Sequence, residues 1–417
     1  MTKKFKFLFV HQNFPGQFKN LAPFLAAQGH TVKALHLGRE RRLIDNIDYV
    51  PYATQRTSTK GMHPWVIDFE TKVIRAEACF RAARALKEEL FSPDIIIAHH
   101  GWGESLFLNE VWPAARLGIY CEFYYRPEGA DVNFDPEFKI DDPSDVCRLR
   151  LKNLTNVLHF DLAVMGIAPT AWQASVFPET FRRKISVIHD GVNTKQVVPN
   201  PTASVRLPSG KRLDRKSKVV TFVARNLEPY RGYHSFMRAV PQILQLQQDA
   251  EIVIVGGDSV GYGQSAPNGK TWKQLFIEEV RSQIDDSAWS RVHFLGQIQY
   301  AGLIALFQIT KAHVYLTYPF VLSWSMLEAM SCGAPVIGSK TAPVMEVLIH
   351  KENGLLVDFF SPKEIADAVV NLLDDENLRV CLGNTARNTI VRNYDLDSVC
   401  LPKQIRWVDA VIESPQA

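Results

Sequence analysis

The chain has 417 residues, of which 46% are hydrophobic and 22% charged, the balance of an ordinary soluble globular protein. This length exceeds what one hydrophobic core supports, so we expect two domains. A net charge of +3 gives no reason to expect a nucleic-acid partner. No segment reaches the roughly 18 consecutive apolar residues that a membrane helix needs.

Short β-branched runs alternate with helical segments along the first half, which favours an α/β fold with a parallel sheet. The segment 17–28 is predicted to be a helix that ends at Gly29, and apolar residues at helical spacing predict a longer helix over 66–90. The predicted strands of this half are 5–10, 31–36, 94–98, 118–123, 162–166 and 185–188.

The composition then changes, because 199–217 is rich in proline, serine and basic residues and has no periodicity. We interpret 199–217 as a linker between a domain of residues 1–198 and a second domain of residues 218–395. A last segment, 396–417, is predicted to be a helix that docks on the first domain. The second domain has predicted strands at 218–224, 251–256, 291–296, 312–317 and 334–339, and helices at 231–247, 271–283, 300–309, 323–331 and 363–374.

The six cysteines have no paired spacing, so we expect each to be a small core residue in a reducing compartment. The opening MTKKFKFLFVHQNF has too few apolar residues for a secretory signal. We therefore expect a cytoplasmic protein, and the inner face of the membrane is a second candidate location.

Candidate ligand-binding residues in the first half lie where predicted strands end. Gly16 follows the first strand and lets backbone N–H groups approach a phosphate closely, although the GxGxxG spacing of dinucleotide folds is absent. His99 and His100 follow a buried strand, at the sheet edge where α/β folds bind ligands. These histidines are predicted to hydrogen-bond a sugar or a phosphate.

Two arginines and a helix start mark the second half. Arg225 and Arg231 flank one loop after a strand, and guanidinium groups there suit an anion such as a phosphate. Ser323 and Ser325 lie at the predicted start of a helix, where free N–H groups bind anions. Glu328, one turn further along, is placed to bind two hydroxyl groups of a ribose or sugar.

Several other chemistries are disfavoured by the sequence. No HExxH motif or paired His/Cys spacing predicts a metal site. No GxSxG elbow, Walker loop or set of kinase motifs is present. We predict no metal and no cofactor.

Several segments together resemble glycosyltransferase family 4, a family of the GT-B fold with two Rossmann-like domains facing across a cleft. The resemblance covers most of residues 185–360, and in the first half it extends to His99 and to the opening strand, loop and helix. The segments that carry it are KISVIHDGVNTKQ, ARNLEPYRG, RVHFLGQIQYAGLIALFQITKAHVYLTYP, LEAMSCGAPVIGS, PVMEVL, NGLLVD and HQNFPGQFKNLAPFLAAQGHTV.

The resemblance implies a metal-independent, retaining transfer of a sugar from a nucleotide-diphosphate donor. It gives Glu328 the donor ribose, the two arginines the diphosphate, and the backbone from Leu322 to Ser325 the distal phosphate and sugar. It gives Gly16 the loop facing the diphosphate. We accordingly predict catalytic roles for His99, Arg225 and Arg231, and substrate binding by Gly16, His100, Leu322, Ser323, Trp324, Ser325 and Glu328.

One position departs from the family pattern, since Phe320 stands where the first glutamate of the Glu-x7-Glu pair is expected. That glutamate normally contacts the donor sugar, so Ser323 and Trp324 are candidates to replace its contact. The spacing between Arg225 and Arg231 also exceeds the usual one by one residue.

Four interpretations therefore stay open: a glycosyltransferase, another GT-B enzyme such as an epimerase or phosphorylase, a non-catalytic nucleotide-sugar-binding protein, and, disfavoured, a nicotinamide oxidoreductase. By analogy the pathway is polysaccharide or glycoconjugate assembly, and the acceptor is unknown, with a polysaccharide or a lipid-linked sugar as candidates. Peripheral membrane association is a further expectation. A basic face for an anionic or lipid-linked acceptor, or equally the solvated surface of a helix, would explain six residues of the first domain: Arg39, Arg41, Arg42, Arg81, Arg84 and Lys87.

Overall fold

The computed structural model describes residues 3–415, which divide into two compact units. Unit 1 contains the described parts of Met1–Asn133, Lys139–Asp190 and Asp397–Ala417, and unit 2 contains Phe134–Phe138 and Gly191–Leu396. No helix within 3–415 is long and apolar enough to cross a membrane.

Unit 1 is built on a sheet whose strand order is β3-β4-β2-β1-β5-β6-β7-β8. All neighbours run parallel except β3 and β4. Four consecutive residues of β1 are fully buried, as expected for a parallel strand covered on both faces. The strands are β1 (Lys6–Val10), β2 (Thr31–Leu37), β3 (Arg42–Ile44), β4 (Ile47–Tyr52), β5 (Ile95–Ala98), β6 (Arg116–Tyr120), β7 (Ala163–Ala168) and β8 (Ile185–Val187).

The helices of unit 1 cover this sheet and include the last helix of the chain. That last helix, α16 (Leu401–Glu413), packs on β6 and β7, and Trp407 donates its indole N–H to the carbonyl of Gly166 at 3.0 Å. The others are α1 (Leu21–Ala27), α2 (Ile67–Glu88), α3 (Leu108–Val111), α4 (Asp145–Lys152), α5 (Leu154–Phe160), α6 (Ala171–Ser175) and α7 (Glu179–Arg182).

Unit 2 has an all-parallel sheet of order β13-β12-β11-β14-β15-β16, and a separate antiparallel hairpin of β9 and β10. The central strands are continuous apolar runs, the pattern of a sheet buried on both faces. The strands are β9 (Ser204–Arg206), β10 (Arg212–Asp214), β11 (Lys218–Asn226), β12 (Ala250–Gly257), β13 (Val292–Gly296), β14 (Ala312–Tyr315), β15 (Val336–Ser339) and β16 (Leu355–Val357).

The helices of unit 2 follow the sequence pattern closely. A capping box of Thr271 and Gln274 starts α9, and Ser323 caps the start of α12. The helices are α8 (Tyr233–Leu246), α9 (Trp272–Arg281), α10 (Asp286–Trp289), α11 (Tyr300–Ile309), α12 (Trp324–Ser331), α13 (Ala342–Met345), α14 (Pro362–Asp374) and α15 (Glu376–Asn393).

The structure differs from the sequence-based prediction in several places. The segment 199–217 is not a free linker, because β9 and β10 pair within it and belong to unit 2. The chain passes into unit 2 at Gly191 rather than after residue 198. The prediction also missed several elements, since short or polar segments give little periodicity: strands β3, β4 and β16 and helices α3, α4, α5, α6, α7, α10, α13 and α15. Two cysteines, Cys147 and Cys381, are exposed and not core residues.

Candidate active site

We call the edge of each sheet at the carboxyl ends of its parallel strands the ligand edge, because α/β folds bind ligands there. The ligand edge of unit 2 includes the end of β11. Arg225 is the next-to-last residue of β11, and its side chain is exposed. Arg231 ends a short 3-10 turn, Pro229–Arg231, and Gly232 follows at φ +67°. A Cβ at Gly232 would lie 2.4 Å from the Cβ of Leu316, so only glycine lets this turn pack against the neighbouring strand end.

Arg231 fixes the loop that leads into α12. Its Nη1 donates to Thr317 Oγ1 at 2.9 Å and to the carbonyl of Val321 at 3.0 Å, and the residue is only 8% exposed. Within 3–415 neither Nη2 nor Nε of Arg231 donates a hydrogen bond, so these donors of the guanidinium stay available. An arginine held this way is preorganised for an oxyanion.

Two aromatic rings flank this guanidinium, and two more pack behind them. Its carbon lies 5.4 Å from the ring centre of Tyr262 and 6.0 Å from that of Phe320. Phe320 is 3% exposed, and its ring packs edge-on against Tyr230 and Tyr262, while Tyr230 also packs on Tyr318. Phe320 therefore occupies a buried packing position and does not line an open sugar pocket.

A buried carboxyl group, that of Glu228, also shapes this edge, and sequence reasoning missed it. Glu228 is fully buried, and its Oε2 accepts hydrogen bonds from the N–H groups of Gly261 and Tyr262 at 3.0 and 2.9 Å. Burial raises the pKa of its carboxyl group, against the nearby arginines Arg231 and Arg225. Glu228 thereby ties the loop after β12 to the loop of the arginines.

The start of α12 offers fewer free N–H groups than the sequence suggested. The N–H of Ser323 is taken by the hydroxyl of Tyr315 at 2.8 Å, and its Oγ lies 2.9 Å from that of Ser325. The side chain of Leu322 is in the core, and its N–H has no hydrogen bond among the described residues. Trp324 is half-buried at the first helical position.

Glu328 lies one turn into α12 and is 7% exposed. It accepts a hydrogen bond at 2.9 Å from the hydroxyl of Tyr300, the first residue of α11. Burial and this carboxylate raise the pKa of the Tyr300 hydroxyl, so it stays protonated and keeps donating. The structure thus brings Arg231, Ser323 and Glu328 to one edge of the sheet, with exposed Arg225 at the end of the adjacent strand.

The ligand edge of unit 1 carries the predicted Gly16 and His99. Gly16 has φ +47°, and a Cβ there would lie 2.2 Å from Nε2 of His11. The ring of His11 in turn lies 5.3 Å from that of His99. Glycine is thus required by the packing of His11, in addition to any close approach of a ligand.

His99 and His100 have different surroundings. His99 is 1% exposed and stacks on Trp102, with ring centres 4.0 Å apart. Both ring nitrogens of His100 are bonded within the protein, one to the carbonyl of Tyr120 and the other to Asn156. The arrangement therefore gives His100 a structural role and does not support its predicted contact with substrate, because the residue is 1% exposed and both ring nitrogens are already used.

Glu122 is a site residue that sequence reasoning missed. The predicted strand 118–123 placed it inside a strand, but β6 ends at Tyr120 and leaves Glu122 at the ligand edge. Its Oε2 lies 3.4 Å from Nε2 of His99, and its side chain is 32% exposed. The sequence gives no signal that β6 ends at Tyr120, so it could not show that Glu122 lies outside the strand.

The one group of metal-ligand type found within 3–415 is balanced by protein contacts. Asp135, Glu137 and His234 lie in unit 2 with their ligand atoms within 4.8 Å of one another. Arg238 donates to both oxygens of Glu137 at 2.7 Å, and His234 and Tyr318 donate to Asp135 at 3.0 Å. Because these contacts already use the carboxylates, the group is a structural network.

The basic face predicted in unit 1 is partly neutralised. Arg41 donates to both Asp48 and Glu89, and Arg81 pairs with Glu77 at 3.0 Å. Lys87 donates to the carbonyl of Val111 at 2.7 Å. This surface is therefore less cationic than its sequence suggests.

Two parallel-sheet units whose ligand edges carry these groups define the GT-B class, and solved structures support this assignment of the fold. Sucrose-phosphate synthase from Thermosynechococcus elongatus superposes with a TM-score of 0.73 at 18% identity, over 99% of this chain and 100% of that one. HepE from Anabaena, solved in complex with UDP-glucose, gives a TM-score of 0.66 at 16% identity, over 97% and 100%. The predicted GT-B fold is confirmed.

The sequence comparisons give the family. Residues 28–197 match the glycosyl transferase family 4 group, and residues 207–389 match glycosyl transferases group 1. D-inositol 3-phosphate glycosyltransferase from Corynebacterium efficiens is 29% identical over 206 residues, 49% of this chain and 46% of that protein. The chain matches about half of the length of such relatives. It belongs to the family 4 glycosyltransferases.

Proposed function

We propose that this protein transfers a sugar from a nucleotide-diphosphate donor to an acceptor hydroxyl group. The observation that carries the proposal is the ligand edge of unit 2, where Arg231, the start of α12 and Glu328 lie together. A helix N-terminus and a preorganised arginine suit a diphosphate, and a buried carboxylate suits the two hydroxyls of a ribose. HepE, which shares the fold, was solved with UDP-glucose.

The chemistry that we propose proceeds with retention. The bond between the anomeric carbon and the diphosphate oxygen breaks while the acceptor oxygen bonds to the same face of that carbon. The acceptor proton passes to the departing phosphate, and the nucleoside diphosphate leaves. Arg225, Arg231 and the N–H of Leu322 would stabilise the charge that develops on the leaving group, in the place of a metal ion.

The residues divide by role in this proposal. Glu328 holds the ribose, with its orientation fixed by Tyr300. His99 lies near the transferred sugar, and the Ser323 hydroxyl and Trp324 contact the distal phosphate or sugar. We place the protein in the cytoplasm, in polysaccharide or glycoconjugate assembly, with an acceptor that is a polysaccharide or a lipid-linked sugar at the membrane.

A thermal-shift screen with UDP-, GDP-, ADP- and TDP-sugars tests the proposal. A ligand that binds the native state raises stability by about 2.7 kcal/mol at a hundred times its Kd. We expect one nucleotide series to raise the melting temperature, and no shift with any nucleotide sugar would contradict the proposal.

Phe320 bears on one alternative, a protein that binds nucleotide sugar without transferring it. This buried phenylalanine stands where members of the family use a carboxylate. Incubation with the radiolabelled donor found in the screen separates the two functions. Release of free or transferred sugar above the level of an Arg231→Ala variant supports an enzyme, whereas binding without release supports the alternative.

A further inference from the structure

The ligand edge of unit 1 carries a carboxylate, Glu122, that the mechanism above leaves without a role. It follows β6 by two residues, and its side chain is 32% exposed, whereas the neighbouring His99 is 1% exposed. Glu122 is therefore the member of the pair that a ligand can reach. An acidic group at the carboxyl edge of a parallel sheet stands where α/β folds bind ligands.

A directed chain of hydrogen bonds holds Glu122 in place. The N–H of Asn13 donates to Nδ1 of His11 at 3.0 Å, so the proton of this neutral imidazole is on Nε2. That nitrogen lies 2.7 Å from Oε1 of Gln17, which orients the amide so that Nε2 of Gln17 donates to Oε1 of Glu122 at 3.1 Å. Burial and His99 lower the pKa of His11 to about 4, which keeps the chain in this one direction.

His99 is fixed just as firmly. Its ring stacks on Trp102 at an interplanar angle of 16° and on Tyr120 at 23°, and His11 packs edge-on against it. Its two nitrogens make no conventional hydrogen bond although they are buried. Its Nε2 is 3.4 Å from Oε2 of Glu122. Buried polar atoms without partners are rare, and here they adjoin a half-open carboxylate.

The chemistry of the pair selects the ligand. A carboxylate repels a phosphate and accepts hydrogen bonds from hydroxyl groups, so Glu122 suits a sugar and not the diphosphate. Unit 2 has Phe320 where the family pattern has a sugar-binding carboxylate. We propose that Glu122, beside His99, accepts a hydrogen bond from a hydroxyl group of the transferred sugar. This inference rests on the proposed function.

Calorimetric titration of a Glu122→Gln variant tests the assignment. The ligands are the nucleoside diphosphate of the series selected by the thermal-shift screen and its matching nucleotide sugar. Glutamine keeps the shape and can still accept from Gln17, but it removes the charge that makes this hydrogen bond strong. We expect the nucleotide-sugar affinity to fall about tenfold while the affinity for the nucleoside diphosphate stays unchanged.

Glu110→Gln is the matched control, because Glu110 is an exposed glutamate of α3 in the same unit. An unchanged ratio of the two affinities in Glu122→Gln would overturn this inference alone. A similar loss for both ligands would also overturn it, since that indicates a general structural role. No binding of any nucleotide to the wild-type protein would overturn the proposed function and this inference with it. If Glu122→Gln does not fold, the same two affinities are measured for Glu122→Asp, which retracts the carboxylate, and their ratio is judged by the same outcomes.

Discussion

The two ligand edges of this protein are built in different ways. In unit 2 the edge comes from two short segments, 225–231 and 315–328, and its polar groups are organised around Arg231. In unit 1 the edge comes from residues far apart in the sequence, as Gln17 and Glu122 are 105 positions apart. One edge is recognisable as a motif and the other becomes visible only in three dimensions.

The difference extends to charge. The edge of unit 2 presents arginines and a helix N-terminus, which suit an anion. The edge of unit 1 presents a carboxylate linked through Gln17 to the buried His11 and adjoining the buried His99, and such a carboxylate suits hydroxyl groups. The two edges therefore favour different chemical groups, an anion in unit 2 and hydroxyl groups in unit 1.

The largest difference that we expect between the units is in their response to acid. Burial lowers the pKa of His11, His159 and His189 in unit 1 to about 4, and that of His313 in unit 2 to about 3. An unfolded histidine takes up its proton near pH 6.5, so the native state loses stability as the pH falls from there toward 4. Each such group costs about 2 kcal/mol at pH 5.

Hydrogen exchange followed by mass spectrometry at pH 7.5 and pH 5, corrected for intrinsic exchange rates, measures this response peptide by peptide. We expect peptides of β1 and β5 to lose protection before peptides of β11 and β14. The reverse order would contradict the assignment of the acid-sensitive core to unit 1.

Restoring the family residue at position 320 would sharpen the contrast in charge. Phe320→Glu puts a carboxylate into a site that is 3% exposed, which costs several kcal/mol unless Arg231 neutralises it. A carboxylate beside Arg231 competes with a diphosphate for the guanidinium. We therefore expect lower stability and about tenfold weaker nucleotide binding. Urea unfolding and calorimetry measure both, with Phe320→Leu as the uncharged control. Tighter binding of a nucleotide sugar by Phe320→Glu would refute the packing role of this position.

A smaller effect is expected at Gly16 in unit 1. Alanine there meets φ +47° and places its Cβ 2.2 Å from Nε2 of His11, so the imidazole must move. We expect Gly16→Ala to lower the free energy of unfolding by about 1–3 kcal/mol. Gly61→Ala, at φ +80° with open space around the Cβ, isolates the backbone strain from the clash. Equal losses in the two variants would show that His11 does not constrain Gly16.

The smallest effect is expected at Tyr300 in unit 2. Tyr300→Phe removes the hydrogen bond to Glu328, and since Tyr300 is 52% exposed, the loss in nucleotide affinity should be only about twofold to tenfold. In a Glu328→Gln background the same change should have little further effect, as a double-mutant cycle would reveal. Additive losses would mean that Tyr300 acts independently of Glu328.

Much of the fold and half of the site could be predicted from the sequence. Continuous apolar runs located the buried strands, and the segments 224–232 and 327–339 carried the family pattern. What the sequence left out depends on where a strand stops or which way a side chain turns. The position of Glu122 depends on β6 ending at Tyr120, and the structural role of His100 depends on its contacts with Tyr120 and Asn156. Such details are decided by tertiary contacts and leave no periodic signal.

The central claim is that the edge of unit 2 binds the diphosphate and ribose of a donor. Calorimetric titration of the nucleoside diphosphate selected by the screen into the wild-type protein, Arg231→Ala and Glu328→Ala tests it most directly. Glu352→Ala, at an exposed glutamate of the same unit, serves as control. Charged hydrogen bonds are worth about 1.5–3 kcal/mol each, so we expect at least about tenfold weaker binding in both site variants. The affinity of the control variant should equal that of the wild-type protein. Unchanged affinity in both Arg231→Ala and Glu328→Ala would contradict the account.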